Sequence, residues 1–431
     1  MTFFVLGSHP ALSVAEIANV LGVEINHSQY SKEILLLDEI GTSPEALQGR
    51  LGGTIKIGDI VGEVNPPSPG FGGARKIDKE EVADLFVSLL AHPSPLPLSL
   101  RERGEEERGN RVVFGISTYS LDAHRDLSTE VKQIGMTIKT KLKEEGRTAR
   151  FVSTKTAALP SAAVTGEKLL ENGAEFVIIV SKEKIYLGQT RIVQDFQSWS
   201  ARDYGRPRRD AKSGMLPPKL ARMMINLSGA KTSAALLDPF CGSGTVLMEA
   251  ALMEFTNLIG SDISEKAIKD TTINLDWLNQ NEEVDTSGIR LFNKPIETLA
   301  GDLKEKVEVI VGETYLGPPL SGRETPFRQK QIMDELLERT ASGLAALLQL
   351  LKKGGTVVLA LPAFCARHSP ATAGQNGKNI QYLPTKKLAE AVGLQIVPFT
   401  GEPNEVSPNG GLLYVRENQK VGREIVKMVL K

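Results

Sequence analysis

Asp238-Pro239-Phe240-Cys241-Gly242-Ser243-Gly244-Thr245 is the stretch whose reading decides the fold. It follows the apolar run Ala235–Leu237 and leads into VLMEAALM (246–253), so it reads as strand, tight turn and helix start. A Gly-x-Gly turn lets a ligand approach the backbone with no Cβ in the way. The helix beyond offers unpaired N–H groups and the positive end of its dipole.

Asp238 beside that loop suits an ammonium group better than a phosphate, which favours a methionine-type cofactor over a dinucleotide. The next expected strand, LIGSD, ends at Asp262, roughly twenty residues after the glycines, where a carboxylate can accept both hydroxyls of a ribose. Outward from this pair, expected strands at 235–237, 258–261, 288–293, 307–311, 356–361, 394–399 and 412–416 alternate with helical stretches. That alternation predicts an α/β, Rossmann-like parallel sheet with helices on both faces. The close spacing of the last two strands permits an antiparallel hairpin at the sheet edge.

The chain has 431 residues, 41% hydrophobic and 24% charged, enough for more than one core. Its 51 basic and 52 acidic residues give no global excess of positive charge, so any nucleic-acid contact must rest on a local patch. No apolar run reaches the ~20 residues of a membrane span, and the start lacks the basic and apolar regions of a signal peptide. Two cysteines exclude a disulfide framework and a Cys-rich zinc site, and the five histidines show no metal-ligand spacing. The expectation is a soluble, cytoplasmic protein without a metal.

Residues 1–62 read as strand, helix, strand, helix, strand, a ferredoxin-like unit whose first helix opens with the capping-box pair Ser13 and Glu16. Residues 63–190 read as a second mixed α/β domain. It is interrupted at 92–109 by a proline-rich, mixed-charge insertion expected to be disordered. Residues 191–230 read as a polar linker and lead-in helix, and 231–431 as the cofactor-binding domain.

DPFCGSGT followed by GSDIS resembles motifs I and II of class I methyltransferases. GMLPPKLARMMINLS, just upstream, resembles the segment leading into motif I in the THUMP-domain tRNA guanine-N2 methyltransferases. The resemblance covers most of the chain outside 92–109 and is most specific from Arg202 to Asp262. It implies an N-terminal ferredoxin-like domain, a THUMP-like RNA-binding domain, a linker and a catalytic domain using S-adenosylmethionine. Asp238, Phe240, Gly242, Gly244, Asp262 and Ile263 would bind that cofactor. FNKPIETL offers Asn293, or the Ile296 N–H, to the adenine edge. The implied partner is tRNA, methylated on guanosine N2 at a position-ten type of site, with a small activator protein in some relatives.

The catalytic motif departs from that family. Enzymes of this type carry Asp/Asn-Pro-Pro-Tyr/Phe after the fourth strand, and this chain reads VEVIVGETYLGPPLSG. An exocyclic amine is a poor nucleophile because its lone pair is delocalised into the ring. Oxygens that accept its hydrogens localise that pair, so methyl transfer is mainly positioning and desolvation. Counted from the strand end, Glu313 fills the acidic slot and Tyr315 the stacking slot; counted from the proline pair, Gly317 and Leu320 fill them. We prefer the first register, because VEVIVG is a convincing strand and Glu313 follows it directly.

Arg202, Arg206, Arg208 and Arg209 fall within eight positions, and with Lys155 they are the expected RNA-contacting residues. Two other readings stay open on sequence grounds. One is a ribosomal RNA guanine-N2 or DNA adenine-N6 methyltransferase; the other is a catalytically degenerate RNA-binding protein.

Overall fold

The computed structural model describes residues 1–64, 77–91, 111–122, 126–209, 215–321, 324–366, 379–401, 406–417 and 419–431. The expected insertion at 92–109 lies outside them. The chain divides into two compact units. One comprises residues 1–10, 26–49 and 54–196; the other comprises 11–25, 50–53 and 197–431.

The first unit holds a seven-stranded sheet in the order β2-β1-β3-β7-β6-β4-β5. Its strands are β1 (Thr2–Leu6), β2 (Ile34–Leu37), β3 (Thr54–Val64), β4 (Arg111–Ser120), β5 (Thr148–Val152), β6 (Gly173–Val180) and β7 (Ile185–Val193). β1 runs antiparallel to β2 and β3, whereas β4 runs parallel to β5 and β6. The domain boundary expected at residue 62 falls inside β3, whose backbone pairs with β1 on one side and β7 on the other. The two expected N-terminal domains therefore share one sheet. The helices Lys79–Ala91 and Ser128–Glu144 bury Phe86, Ile134 and Ile138 in a core with Phe114 and Phe176. Residues 161–172 form two short helices, Ser161–Gly166 and Leu169–Asn172, because Lys168 between them adopts φ 52°.

The second unit holds nine strands, ordered β10-β9-β8-β11-β12-β16-β14 with β13 paired to β12 and β15 to β16. They are β8 (Ala235–Asp238), β9 (Asn257–Ser261), β10 (Arg290–Phe292), β11 (Val307–Glu313), β12 (Leu351–Ala366), β13 (Asn379–Tyr382), β14 (Leu394–Ile396), β15 (Leu412–Tyr414) and β16 (Val421–Leu430). β8 through β12 are parallel, as the alternation predicts. β16 is antiparallel between β12 and β14. It is absent from the sequence reading, and the edge hairpin that the spacing of the last two strands permits does not form, since β14 and β15 each pair with β16 instead.

The expected linker is also core. Ten of the eleven residues of helix Pro218–Ser228 are buried, and Leu220, Met224 and Leu227 pack with Leu236, Val246 and Leu258. Helix Pro10–Leu21 clusters with this unit rather than with β1 and β2, which flank it in sequence. Leu12 and Ala15 join the same core, and the Asn226 amide donates to Glu16 at 2.7 Å. The methyltransferase-like domain expected at 231–431 thus begins earlier and recruits a helix from the N-terminus.

Candidate active site

The strand order reverses between β8 and β11, and in open α/β sheets ligands bind outside the carboxyl ends at such a switch point. β8 ends at Asp238 and β11 ends at Glu313, so both acids stand at that crevice. They line one cavity of about 910 Å³ together with Phe240, Gly242, Asp262, Ile263 and Tyr315. That volume lies within the range of small-molecule sites.

The glycine loop is built from local hydrogen bonds. Asp238 is buried and accepts from the Phe240 N–H at 3.1 Å. The Gly242 N–H donates to Asp262 at 3.0 Å, and the other Asp262 oxygen accepts from the Ser264 N–H at 2.8 Å. One carboxylate therefore ties the loop after β8 to the loop after β9, and each of its oxygens keeps a lone pair. Gly242 and Gly244 have φ of 53° and 85°, in the left-handed region that favours glycine. Gly244 does not line the cavity; a Cβ there would meet Thr271 at 2.9 Å, so it serves the close approach of helix Glu265–Glu282. Cys241 is buried in the loop, and burial pushes its thiol well up, which suits packing rather than nucleophilic chemistry.

Burial pushes the Asp238 carboxyl well above the usual range, and the neighbouring Asp262 and Glu313 charges push it further. Such a carboxyl calls for a cation. The buried acid, the cradle left by Gly242 and the ribose-competent Asp262 fit S-adenosylmethionine, whose amino group, backbone and ribose match them in kind. Asn293 stands apart from this set. Its amide donates to the Asp262 and Ile263 carbonyls at 3.0 Å each, and Pro295 and Ile296 line the cavity in its place.

On the transfer side Glu313 is the last residue of β11. Burial raises its carboxyl while the Arg423 guanidinium beside it opposes the rise. Arg423, on β16, is buried and forms an ion pair with Glu313. Sequence reasoning missed Arg423 because it recognised no strand beyond 416; an arginine inside VGREIVKMVL was the available signal. Tyr315 is 50% exposed, with the Arg339 guanidinium 5.3 Å from its ring centre.

The arginine cluster separates into two kinds. Arg202 is buried; it donates to Glu249 at 2.7 Å and lies 4.3 Å from the centre of the Trp199 ring. Arg222 donates to the other Glu249 oxygen at 2.9 Å. Arg206 is buried as well, donating to Thr245 at 2.8 Å, and burial lowers it to about 10. The expectation that Arg202 and Arg206 meet RNA is therefore corrected: both side chains are buried inside the fold. Arg208 and Arg209 are exposed, and Arg209 lies 5.0 Å from the ring centre of the exposed Tyr204. Lys155 is exposed in the first unit.

Residues 206–314 match the family model for UPF0020, the RMKL-like methyltransferase domain. A tRNA (guanine(10)-N2)-dimethyltransferase of Methanothermobacter thermautotrophicus is 35% identical over 153 residues, covering 35% of this chain and 40% of the relative. A U6 snRNA (guanine-N(2))-methyltransferase of Bos taurus, THUMPD2, is 26% identical over 168 residues, covering 38% of this chain and 29% of the relative. The match thus spans well under half the length of these curated relatives. The crystal structure of TrmN from Thermus thermophilus is similar with a TM-score of 0.53 at 15% identity, covering 100% of both chains, which shows the fold. The second unit thus carries a Rossmann-like α/β fold, within which residues 206–314 resemble the RMKL-like methyltransferase domain.

Proposed function

We propose that this protein is an S-adenosylmethionine-dependent RNA methyltransferase acting on the exocyclic N2 of a guanosine in tRNA, at a position-ten type of site. The observation that carries the reading is the convergence of Asp238, Asp262 and Glu313 on one cavity at the switch point. The names of the relatives support guanine N2 as acceptor, and a tRNA relative is more similar than the snRNA one.

When bound, S-adenosylmethionine supplies a methyl group made electrophilic by its sulfonium. Asp238 holds the ammonium end, Asp262 accepts the ribose hydroxyls, and Phe240, Ile263 and Ile296 offer apolar surface to the adenine. Glu313 accepts hydrogens of the target amine, and Tyr315 stacks on the base. The first unit serves as the ferredoxin-like and THUMP-like part that grips RNA by shape and backbone, with Lys155 as a solvent-facing contact, and the second unit adds the exposed Arg208, Arg209 and Tyr204. A small activator protein is a candidate partner, and the cytoplasm is the expected location. Among the described residues no helix is long and apolar enough to cross a membrane.

The test joins calorimetry with product mapping. The wild-type chain is expected to bind S-adenosylmethionine, and Asp262→Ala to bind at least 10-fold more weakly, as befits loss of two hydrogen bonds of about 1 kcal/mol each. Incubation with tRNA transcripts should yield N2-methylguanosine by nucleoside mass analysis. Undiminished binding in Asp262→Ala would remove Asp262 from the cofactor site. Methyl label appearing on another nucleoside, with guanosine unmodified, would overturn the acceptor.

A further inference from the structure

Arg423 and Glu313 belong to strands separated by β12, yet their side chains meet across it. Glu313 pairs in register with Ala360 of β12, and Arg423 pairs with Pro362 of the same strand. Adjacent strands lie about 4.8 Å apart, so only a long side chain bridges two spacings. The Arg423 Nε donates to Glu313 Oε2, and its Nη2 donates to the Met215 carbonyl at 3.2 Å. Met215 itself lines the cavity. One buried guanidinium thus fixes both the acid at the end of β11 and the segment that enters helix Pro218–Ser228. Glu313 Oε1 carries no bond of its own among the described residues, while Glu313 lines the cavity.

We propose that Arg423 is a positioning residue for methyl transfer: it clamps one Glu313 oxygen and leaves the other turned to the cavity as acceptor for the hydrogens of an exocyclic amine. The inference rests on the methyltransferase reading above and explains how a glutamate serves where the resembled family carries Asp or Asn followed by proline. Glu has one more rotatable bond than Asp, and the clamp removes that freedom. As the amine lone pair forms the new N–C bond, the C–S electron pair stays on sulfur. One proton leaves nitrogen for Glu313 and then solvent. Glu313 must be ionised to take it. Of the charged groups that share its cavity, Asp238 on β8 opposes ionisation, Asp262 after β9 and Glu335 and Glu338 on helix Pro326–Leu350 add acidic lining, and Arg339 on that helix pairs with Glu335 and lies over Tyr315. Arg423 is the cation bonded to Glu313 itself.

Two measurements on the full chain test this, using Arg423→Ala, Arg423→Lys and Glu313→Gln. The first is an infrared titration of protein carrying carboxyl-labelled glutamate, with the Glu313→Gln spectrum subtracted. Glu313 is expected to be ionised at neutral pH in the wild type and to titrate at higher pH in Arg423→Ala, with Arg423→Lys in between. The second is the single-turnover rate against pH on guanosine-containing tRNA. Arg423→Ala should lose about 100-fold, the scale of a displaced acid–base group, and its acid limb should move to higher pH. Cofactor affinity by calorimetry should stay within about 3-fold of wild type, because Arg423 does not line the cavity. Should Arg423→Ala fail to fold, Arg423→Lys carries the comparison, with a smaller shift in the same direction. Identical Glu313 titration in wild type and variant, or an unmoved acid limb, overturns the proposal. A wild type that binds cofactor but methylates no guanosine at any pH defeats the methyltransferase reading instead, and the infrared titration still decides the clamp.

Discussion

At Gly312 a hydrogen in place of a methyl leaves room for the Asp238 carboxyl. A Cβ built there would stand 2.6 Å from Asp238 Oδ1, a separation that forces one of them to move. The backbone of β11 is regular at this point, so alanine is tolerable in conformation and intolerable only in contact. Gly312→Ala is therefore expected to displace the Asp238 carboxyl and weaken S-adenosylmethionine binding about 10-fold or more, while the fold persists because overpacking of one methyl costs about 1–3 kcal/mol. Calorimetry beside a thermal melt checks it; an unchanged affinity would mean that Asp238 does not hold the ammonium end. At this scale the sequence was informative where the chemistry is contiguous. Asp238 and Gly242 share one short loop, in which Asp238 accepts from Phe240, and Gly242 bonds Asp262 only 20 positions on. Arg423 was not legible, since its partner Glu313 lies 110 positions away and nothing local to either announces the pair.

Between elements, the helix Thr245–Leu252 is fastened through Glu249, which is buried and bonded to both Arg202 and Arg222. The Trp199 ring lies beside both guanidiniums, at 4.3 and 4.8 Å from its centre. Removing the shared acid leaves two buried cations facing each other. Glu249→Ala is thus expected to destabilise the protein by about 3–5 kcal/mol, the cost of breaking a buried pair from one side. Urea unfolding would read it, and a loss below about 1 kcal/mol would show that water or relaxation relieves the cations. The same burial explains why an arginine-rich stretch looked like an RNA contact: a run of charge gives no hint that Glu249 waits 47 residues on. β16 escaped detection for a related reason. Arg423 and Glu424 interrupt its apolar pattern, yet both are buried, one on Glu313 and the other on Asn409 and Thr385. The parallel core strands, with mostly apolar runs, were legible in number and order of appearance.

Across the whole molecule, the second unit concentrates carboxyls that burial pushes up: Glu16, Asp238, Glu313 and Glu424. Glu16 is raised from 4.5 to about 7, chiefly by burial, against the lowering effect of the Gly52, Asn226 and Gly53 bonds. A carboxyl that holds its proton more tightly folded than unfolded stabilises at low pH. Its contribution is complete below pH 4.5 and is lost as pH rises to about 7, by about 3 kcal/mol for Glu16 alone. The wild type should therefore lose stability from pH 5 to 8, and Glu16→Gln should show a shallower decline. Parallel profiles from urea unfolding at both pH values would show that Glu16 is not protonated in the folded state.

Domain boundaries were the least legible feature, because helix Pro10–Leu21 looks from its sequence neighbours like part of the N-terminal sheet unit, whereas its long-range partners, Asn226 above all, lie in the other unit. That arrangement has a consequence for a chain made from its N-terminus onward. The helix leaves the ribosome about 200 residues before the helix at 218–228 exists to receive it. At ~5–20 residues per second that is a delay of roughly 10–40 s. During translation Leu12 and Ala15 must remain undocked, and Glu16 must lack its Asn226 bond, while the strands on either side of them are already available to pair. The order of synthesis and the order of assembly are therefore opposed in this protein, and its first helix is among the last pieces to find its place.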